Sequence, residues 1–493
     1  MKNKFRNNNS AIKAGDLILT EQPFTFVLSS KEKGSRCDNC LEKGKVLKCS
    51  GCQFVHYCGR TCQKDAWPDH KWECVNLKRV SPKVIPDAAR MLAKIINKLS
   101  RGDGHSYRAF YSGTSFRMWK DLMSHYSDLK ADMKRMDHFT SLCGTLHEFL
   151  KDLSLPNTVE LMGLYGRMII NSFTILDIDM NSIGTGVYLA ASILDHSCSP
   201  NAVATFDGKT INIRATKDMT YLDWSQIRIS YIDLMKTAYE RQTELLDNYY
   251  FLCQCDRCLD DAQNKMMHAA ECLNTDCDNP VSIPWKENCQ LVKRLEISEV
   301  KSYDSTIQTH SNDDSEVKIG GLVNENVTED VVRCNECGTK YTEKHVEQFI
   351  KTMEFTELHL QNMKEASVAY VDVCKYCLER QEGVLHPLNV LHAQTLDHAF
   401  DALIQVQLWQ NACMYAEKLL PCFRFYYGDR HPLLGLLHLK YGKILLYKMN
   451  LNEALEQFKL AEKILKITHG DKHPLYREQL VPLLRQAMIE SNQ

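Results

Sequence analysis

Ala89, Leu92, Ile95, Ile96 and Leu99 follow one another at steps of three and four residues. That spacing gathers apolar side chains on one face of an α-helix and predicts a largely helical stretch over residues 80–165. Residues 241–251 read the same way. Elsewhere the period is two. Ala202-Val203-Ala204-Thr205-Phe206 and Ile211-Asn212-Ile213-Arg214-Ala215 flank Asp207-Gly208-Lys209, a hairpin signal, and Ile227-Arg228-Ile229-Ser230-Tyr231 alternates likewise. The last third returns to helical spacing and repeats itself. His386-Pro387, His431-Pro432 and His473-Pro474 recur, Gly428-Asp429-Arg430-His431-Pro432-Leu433 returns as Gly470-Asp471-Lys472-His473-Pro474-Leu475, and Trp409-x2-Ala412 returns as Leu451-x2-Ala454. Residues 299–330 carry no such pattern. They are rich in Ser, Asp, Asn, Thr and Glu and are expected to form a solvated, disordered loop.

Length, 493 residues, allows two to four domains with an ample core. Lys plus Arg number 60 against 62 Asp plus Glu, so net charge makes no general case for nucleic acid or membrane partners. No apolar run is long enough for a transmembrane helix, and the first residues lack the apolar core of a signal peptide. Each repeat of the last third holds two helices and a turn, which fits a tetratricopeptide-like stack. With so few repeats, that stack is expected to pack on the rest of the chain.

Composition changes the picture through its 21 cysteines. Without a secretion signal they are better explained by metal than by disulfides. Cys37, Cys40, Cys49, Cys52, Cys58, Cys62, His70 and Cys74 put seven Cys and one His within 38 residues, two tetrahedral sets for Zn²⁺. A segment so short and polar needs the metal for much of its folding free energy. Downstream, Cys253-x-Cys255-x2-Cys258 supplies three thiolates, and Cys198 is the candidate fourth. Cys272-x4-Cys277 and Cys334-x2-Cys337 suggest a further zinc joining both pairs, the second being a knuckle-like Cys-Asn-Glu-Cys-Gly. The expectation is three zinc sites, and a fourth if these pairs combine. Cys374-x2-Cys377 has no second pair and reads as packing.

Residues 37–74 resemble a MYND zinc finger, in Tyr57-Cys58, Gln63 and Ala66-Trp67-Pro68-Asp69-His70-Lys71. Residues 171–260 resemble a SET domain with its post-SET zinc loop. The pieces are Asn171-Ser172-Phe173, Gly184-Thr185-Gly186-Val187-Tyr188, Asp195-His196-Ser197-Cys198-Ser199-Pro200-Asn201, Ile229-Ser230-Tyr231-Ile232-Asp233 and Tyr249-Tyr250-Phe251. The whole layout resembles the SET-and-MYND (SMYD) protein-lysine methyltransferases. The resemblance implies an α+β fold, a SET-domain β core interrupted by the finger and followed by an all-α tetratricopeptide-like domain. The boundaries would be 1–36 for the N-terminal part of SET, 37–74 for the finger, 80–165 for a helical insert and 166–235 for the core SET. A post-SET loop at 236–260, the extra cysteine pairs at 261–345 and the helical domain at 346–493 would follow.

The resemblance also implies the chemistry. Cys37, Cys40, Cys58 and Cys62 would hold one zinc, and Cys49, Cys52, His70 and Cys74 the other. Phe173, Tyr231 and Tyr249 would line a lysine channel, with the Tyr231 hydroxyl orienting the amine. Asn171, Asp195, His196 and Phe251, with Tyr231, would hold S-adenosylmethionine. An apolar channel helps an ammonium of pKa about 10.4 lose its proton before it attacks a sulfonium methyl. The chain departs from the family pattern on the cofactor side. There is no glycine before Gly15, Met123 stands where an acidic residue is usual, and Asp195 replaces an amide with an acceptor-only carboxylate. A zinc-bound interaction scaffold on a degenerate SET core is therefore the alternative to an active methyltransferase. Expected partners are histone or other protein lysines, and peptides at the finger and helical tail, for a monomer in cytoplasm and nucleus. The basic finger surface (Lys43, Lys45, Lys48, Lys64 and Lys71) makes DNA phosphates the lesser alternative.

Overall fold

The computed structural model describes residues 11–151, 153–285, 332–366 and 368–491. Both the stretch 299–330 and Cys289 lie outside the described residues. The architecture is mixed α/β with the cysteine-rich finger near the N-terminus. The chain forms two compact units, one of Met1–Tyr231, Asn248–Tyr250 and Asp429–Gln493, the other of Ile232–Asp247 and Phe251–Gly428. The helices of 346–493 thus divide between the units.

In the first unit the hairpin signal becomes the antiparallel pair Ala202–Asp207 and Thr210–Ala215, which Leu17–Glu21 extends to three strands. Ile211, Ile213 and Ala215 alternate into the core, as a half-buried strand requires. Gly208 turns the hairpin with φ +54°, and an added Cβ would meet the Cys40 carbonyl oxygen at 2.9 Å, so the turn seats directly on the finger. A second sheet orders Thr25–Leu28, Ser182–Val187 and Ser172–Leu176. The alternation at 227–231 yields a shorter strand, Arg228–Ile229, pairing in parallel with Asp195–His196. The ladder stops because the next paired N–H, that of Tyr231, is taken by the His196 ring.

The apolar stripe forms the helix Asp87–Ser100, with Ala89, Leu92, Ile95, Ile96 and Leu99 all buried. Helices Met133–Phe149 and Thr158–Asn171 follow in the region expected to be helical. It is interrupted by the short ladder of Ala109–Phe110 with Phe116–Arg117. The Ser112 hydroxyl makes that turn by accepting the N–H groups of Thr114 and Ser115. Near the C-terminus, Pro432–Tyr447 and Leu451–Thr468 pack closely, with Gly435 under Leu465 and Gly442 under Phe458.

The second unit has its own core of Ala270, Val281, Ile283, Phe349, Met353 and Leu385. Its helices include Glu343–Ala366, Val371–Gln381, Val390–Gln405 and Trp409–Tyr427. Gln381 ties three of them together, donating to Thr356 and Thr395 at 3.1 Å each and meeting His392 at 2.8 Å. Cys374 and Cys377 are fully buried, and burial pushes their thiols up to about 12 and about 11.

The histidine of each His-Pro repeat does one job. Its Nδ1 accepts the N–H two residues on, from Leu388 to His386 (3.1 Å), Leu433 to His431 (3.3 Å) and Leu475 to His473 (3.2 Å). At His431 the ring thus satisfies an amide that the start of the helix Pro432–Tyr447 would otherwise leave unpaired, and Pro432 fills the first helical position, where no N–H is needed.

Candidate metal centres and aromatic site

In the finger, Cys62 lies in the first turn of the helix Arg60–Val80, and His70 and Cys74 lie one turn apart on one face of it. Leu47–Lys48 and His56–Tyr57 form the small ladder that carries the neighbouring cysteines. The ligand atoms of Cys37, Cys40, Cys58 and Cys62 fall within 4.8 Å of one another, as do those of Cys49, Cys52, His70 and Cys74. Cys40 and Cys58 sulfurs are 3.9 Å apart, Cys49 and Cys74 sulfurs 3.8 Å, and Cys52 Sγ is 3.6 Å from His70 Nε2. Sulfurs about 2.3 Å from one tetrahedral ion stand about 3.8 Å apart, so both sets fit zinc. Gly51 is required here, since a Cβ would meet the Cys74 sulfur at 2.7 Å. Burial opposes ionisation of Cys52, but the His70 hydrogen bond and neighbouring amides prevail and draw it down to about 7. Burial and then the neighbouring sulfurs push Cys74 up to about 12. A dication among the sulfurs is what lets the whole set ionise together.

Two further clusters lie in the second unit. The Cys253, Cys255 and Cys258 sulfurs are within 4.8 Å of one another. The buried Arg241 donates to Cys258 Sγ at 3.6 Å and Gln242 to the Cys253 carbonyl at 2.9 Å. Cys272, Cys277, Cys334 and Cys337 also gather within 4.8 Å, with sulfur separations of 3.5 Å for Cys272–Cys337 and 3.8 Å for Cys277–Cys334. Asn279 Nδ2 donates to Cys334 Sγ at 3.6 Å, and Thr339 Oγ1 lies 3.1 Å from Cys337 Sγ. Gly338 closes the knuckle with φ +72°, returning its N–H to the Cys334 carbonyl at 3.0 Å.

The aromatic site is built in the first unit. Tyr231 and Tyr249 rings lie 4.9 Å apart, and the His196 ring is 5.3 Å from Tyr231. The Tyr231 hydroxyl donates to the Leu194 carbonyl. Burial, with the charge of Asp195 and then Tyr249, holds this phenol well above its ordinary value. It therefore stays protonated, and with its proton committed to Leu194 it presents lone pairs, making it an acceptor. His196 is engaged on both nitrogens, accepting the Tyr231 N–H at Nδ1 (3.0 Å) and meeting Cys198 Sγ at Nε2 (3.2 Å).

The other candidate residues have partners of their own. Phe173 packs edge-on against Tyr188 at 5.8 Å, and Tyr188 anchors to the Lys209 carbonyl at 2.6 Å. Asn171 is buried and spends its amide hydrogens on the Met123 and Arg167 carbonyls, at 2.8 Å each. What it can offer a ligand is therefore its oxygen. Asp195 is exposed, with Arg228 3.8 Å away. Phe251 belongs to the second unit.

The sequence reading missed Glu73 and Arg90. Glu73 is buried, meets His70 Nδ1 at 3.2 Å and accepts from Arg90 Nε at 2.9 Å. Burial favours its neutral form, but Arg90 and Lys94 overcome this and hold its carboxyl far below the usual range. Such a carboxylate fixes the ring so that Nε2 faces the metal. The signal was present: Glu73 sits three residues after His70, and Arg90 is a charge inside the buried stripe of its helix.

Residues 37–74 match the MYND finger family. The chain is 27% identical over 481 residues to the Homo sapiens histone-lysine N-methyltransferase SMYD3, covering 96% of this chain and 93% of the relative. It is 25% identical to the Arabidopsis thaliana histone-lysine N-methyltransferase ASHR1, covering 97% and 92%. With the Homo sapiens N-lysine methyltransferase SMYD2 it shares 24%, covering 94% and 92%. The similarity to these lysine methyltransferases runs almost end to end, and the MYND finger match lies within it.

Proposed function

We propose that the protein is an S-adenosylmethionine-dependent protein-lysine N-methyltransferase acting on histone or non-histone lysines. The observation that carries this reading is the Tyr231 hydroxyl, committed as donor to the Leu194 carbonyl on a ring tilted against that of Tyr249, so that its lone pairs await an N–H. Relatives spanning nearly the whole chain carry lysine methyltransferase names, which favours the enzyme over an inactive scaffold.

When bound, S-adenosylmethionine supplies a methyl group on a positively charged sulfur. The Asn171 oxygen, Asp195 and His196, with Tyr231 and Phe251, are the residues assigned to hold it. An amide that offers its oxygen and an exposed carboxylate both suit an ammonium group. Phe173, Tyr231 and Tyr249 are assigned to the lysine. Aromatic walls exclude water and so favour the neutral, nucleophilic amine. The fixed Tyr231 hydroxyl accepts from that amine and aims its lone pair, and much of the rate comes from such alignment.

Four zinc ions complete the reading. Two lie in the finger. A third is held by Cys253, Cys255 and Cys258, with Cys198 assigned as fourth ligand from the Asp-His-Ser-Cys motif. A fourth is held by Cys272, Cys277, Cys334 and Cys337. The SET core is read as interrupted by the finger, with a tetratricopeptide-like tail. The finger and tail are read as peptide-binding surfaces of a monomer. No helix among the described residues is long and apolar enough to cross a membrane. A chain so dependent on thiolates suits the reducing cytoplasm and nucleus.

The test is methyl transfer from labelled S-adenosylmethionine to a histone mixture and a lysine peptide array by zinc-loaded protein. Tyr231→Phe is expected to lower turnover about a hundredfold while cofactor affinity stays within a few-fold. No transfer by the wild type, or unchanged transfer by the variant, defeats the reading.

A further inference from the structure

Glu21 ends the strand Leu17–Glu21, and neither the cysteine sets nor the aromatic site uses it. Its two carboxylate oxygens reach different amides. Ala190 donates to Oε1 at 3.0 Å and Ala191 to Oε2 at 2.8 Å, and the Leu189 amide also faces the group. Residues 189–191 are fully buried. They open the single 3-10 turn Ala191–Ile193, which Leu194 closes by donating to the Ala191 carbonyl at 3.1 Å. Leu194 is the residue whose carbonyl takes the Tyr231 hydroxyl. One carboxylate and one turn therefore connect the strand Leu17–Glu21 to the Tyr231 phenol.

We propose that Glu21 is a positioning residue for methyl transfer: its ionised carboxylate holds the turn 189–194 so that the Leu194 carbonyl fixes the Tyr231 hydroxyl. This rests on the methyltransferase reading. An ionised carboxylate is the side chain suited to this place, because it accepts at both oxygens and brings no hydrogen of its own. A protonated carboxyl, or an amide, would turn a donor toward an N–H group.

The groups facing Glu21 are few. Arg117 lies near enough for its charge to favour the ionised form and is itself held by the Asp121 carbonyl (2.7 Å) and Ser192 Oγ (3.4 Å). Tyr107 and Tyr188 also feel Glu21, and both phenols, raised chiefly by burial, stay neutral. Burial pushes the Glu21 carboxyl up to about 7 against these amides and Arg117. The hold on the turn is complete above that value and is lost as pH falls through it.

The experiment uses the zinc-loaded full chain, wild type and Glu21→Gln. Turnover and KM for a lysine peptide are measured between about pH 6 and 9, and amide hydrogen exchange of Ala190 and Ala191 is followed over the same range. The variant is expected to lose about tenfold in kcat with KM within twofold, and to lose the rising limb near neutrality while keeping the limb of the substrate amine. In the wild type, protection of the two amides relative to unfolded peptide is expected to rise as pH passes about 7; in Glu21→Gln it is flat and about tenfold lower. Retention of the neutral limb by the variant, or equal protection of Ala190 and Ala191 in both proteins, overturns the assignment. If the wild type transfers no methyl group, the proposed activity falls, and the exchange measurement still decides whether Glu21 holds the turn.

Discussion

The backbone N–H of Tyr231 points at His196 Nδ1, 3.0 Å away, and this one contact sets the proton of the imidazole. With Nδ1 accepting, the neutral ring carries its hydrogen on Nε2, which faces the Cys198 sulfur at 3.2 Å. An N–H aimed at sulfur favours the thiolate that a metal requires. His196 thus couples the backbone of the phenol to the chemistry of a proposed zinc ligand, besides any contact with the cofactor.

His196→Ala is expected to lower turnover and to weaken zinc binding at the site proposed to take Cys198 as a ligand, each by about 10–100-fold. Chelator competition, followed by metal release, measures the second effect. His196→Gln, which can still accept at one end and donate at the other, should recover part of both. An alanine variant with wild-type zinc retention would remove the link to Cys198.

Glu73 carries a stability prediction. It is buried between His70, Arg90 and Lys94, with Asp38 3.7 Å from Arg90 on the other side. Glu73→Ala leaves the buried Arg90 short of its closest anion and frees the His70 ring to rotate. Breaking such a pair costs about 3–5 kcal/mol, more than the pair contributes net, because one charge stays desolvated and unmatched. Denaturant unfolding of the zinc-loaded protein checks the value, and zinc release from the finger should accelerate in parallel. The simultaneous change Glu73→Met with Arg90→Met should lose less than Glu73→Ala alone.

How much of this was legible beforehand depended on whether the signal was local. The cysteine spacings, the stripe of 89–99 and the hairpin around Gly208 are written within a few residues each, and each emerged as a helix, turn or ligand set. The Leu194–Tyr231 and Glu21–Ala190 contacts join segments far apart in the chain, and in both a backbone atom is the partner. Backbone groups carry no letter in a sequence, so neither contact could be read from it. The repeated His-Pro was visible as a pattern, but its cause, a ring nitrogen capping an amide, required coordinates.

That cause predicts a pH dependence. His473 donates from Nε2 to the Phe206 carbonyl at 2.8 Å and accepts at Nδ1 from Leu475, so the folded state needs the neutral ring. Burial lowers the pKa of His473 and of His386, and lowers that of His469 further still. A histidine lowered on folding adds stability that is complete above its unfolded value, about 6.5, and is lost as pH falls below it. Unfolding midpoints in urea are therefore expected to drop between about pH 7 and 5. His473→Asn, which can still accept the Leu475 amide but does not titrate, should flatten that slope. The variant His473→Ala should cost about 1 kcal/mol at neutral pH through loss of the cap.

The set of Cys272, Cys277, Cys334 and Cys337 makes a separate claim about what zinc does. Its pairs are 57 positions apart in the chain between Cys277 and Cys334, so a shared ion closes a long loop, and the entropy of that closure is offset by metal binding. Around the set, Ala270 bridges to both Val281 and Leu385, and the Tyr341 hydroxyl donates to the Glu271 carbonyl. A zinc ion bound there would anchor the edge of the core formed by Phe349, Met353 and Leu385. Cys334→Ser combined with Cys337→Ser is expected to remove one equivalent of zinc, read by elemental analysis, and to lower the unfolding midpoint by about 2–4 kcal/mol in equivalent stability. The finger's ions should stay bound, because all eight of their ligands lie in the first unit. A double variant with unchanged zinc content would show that these four thiols pack together without sharing a metal.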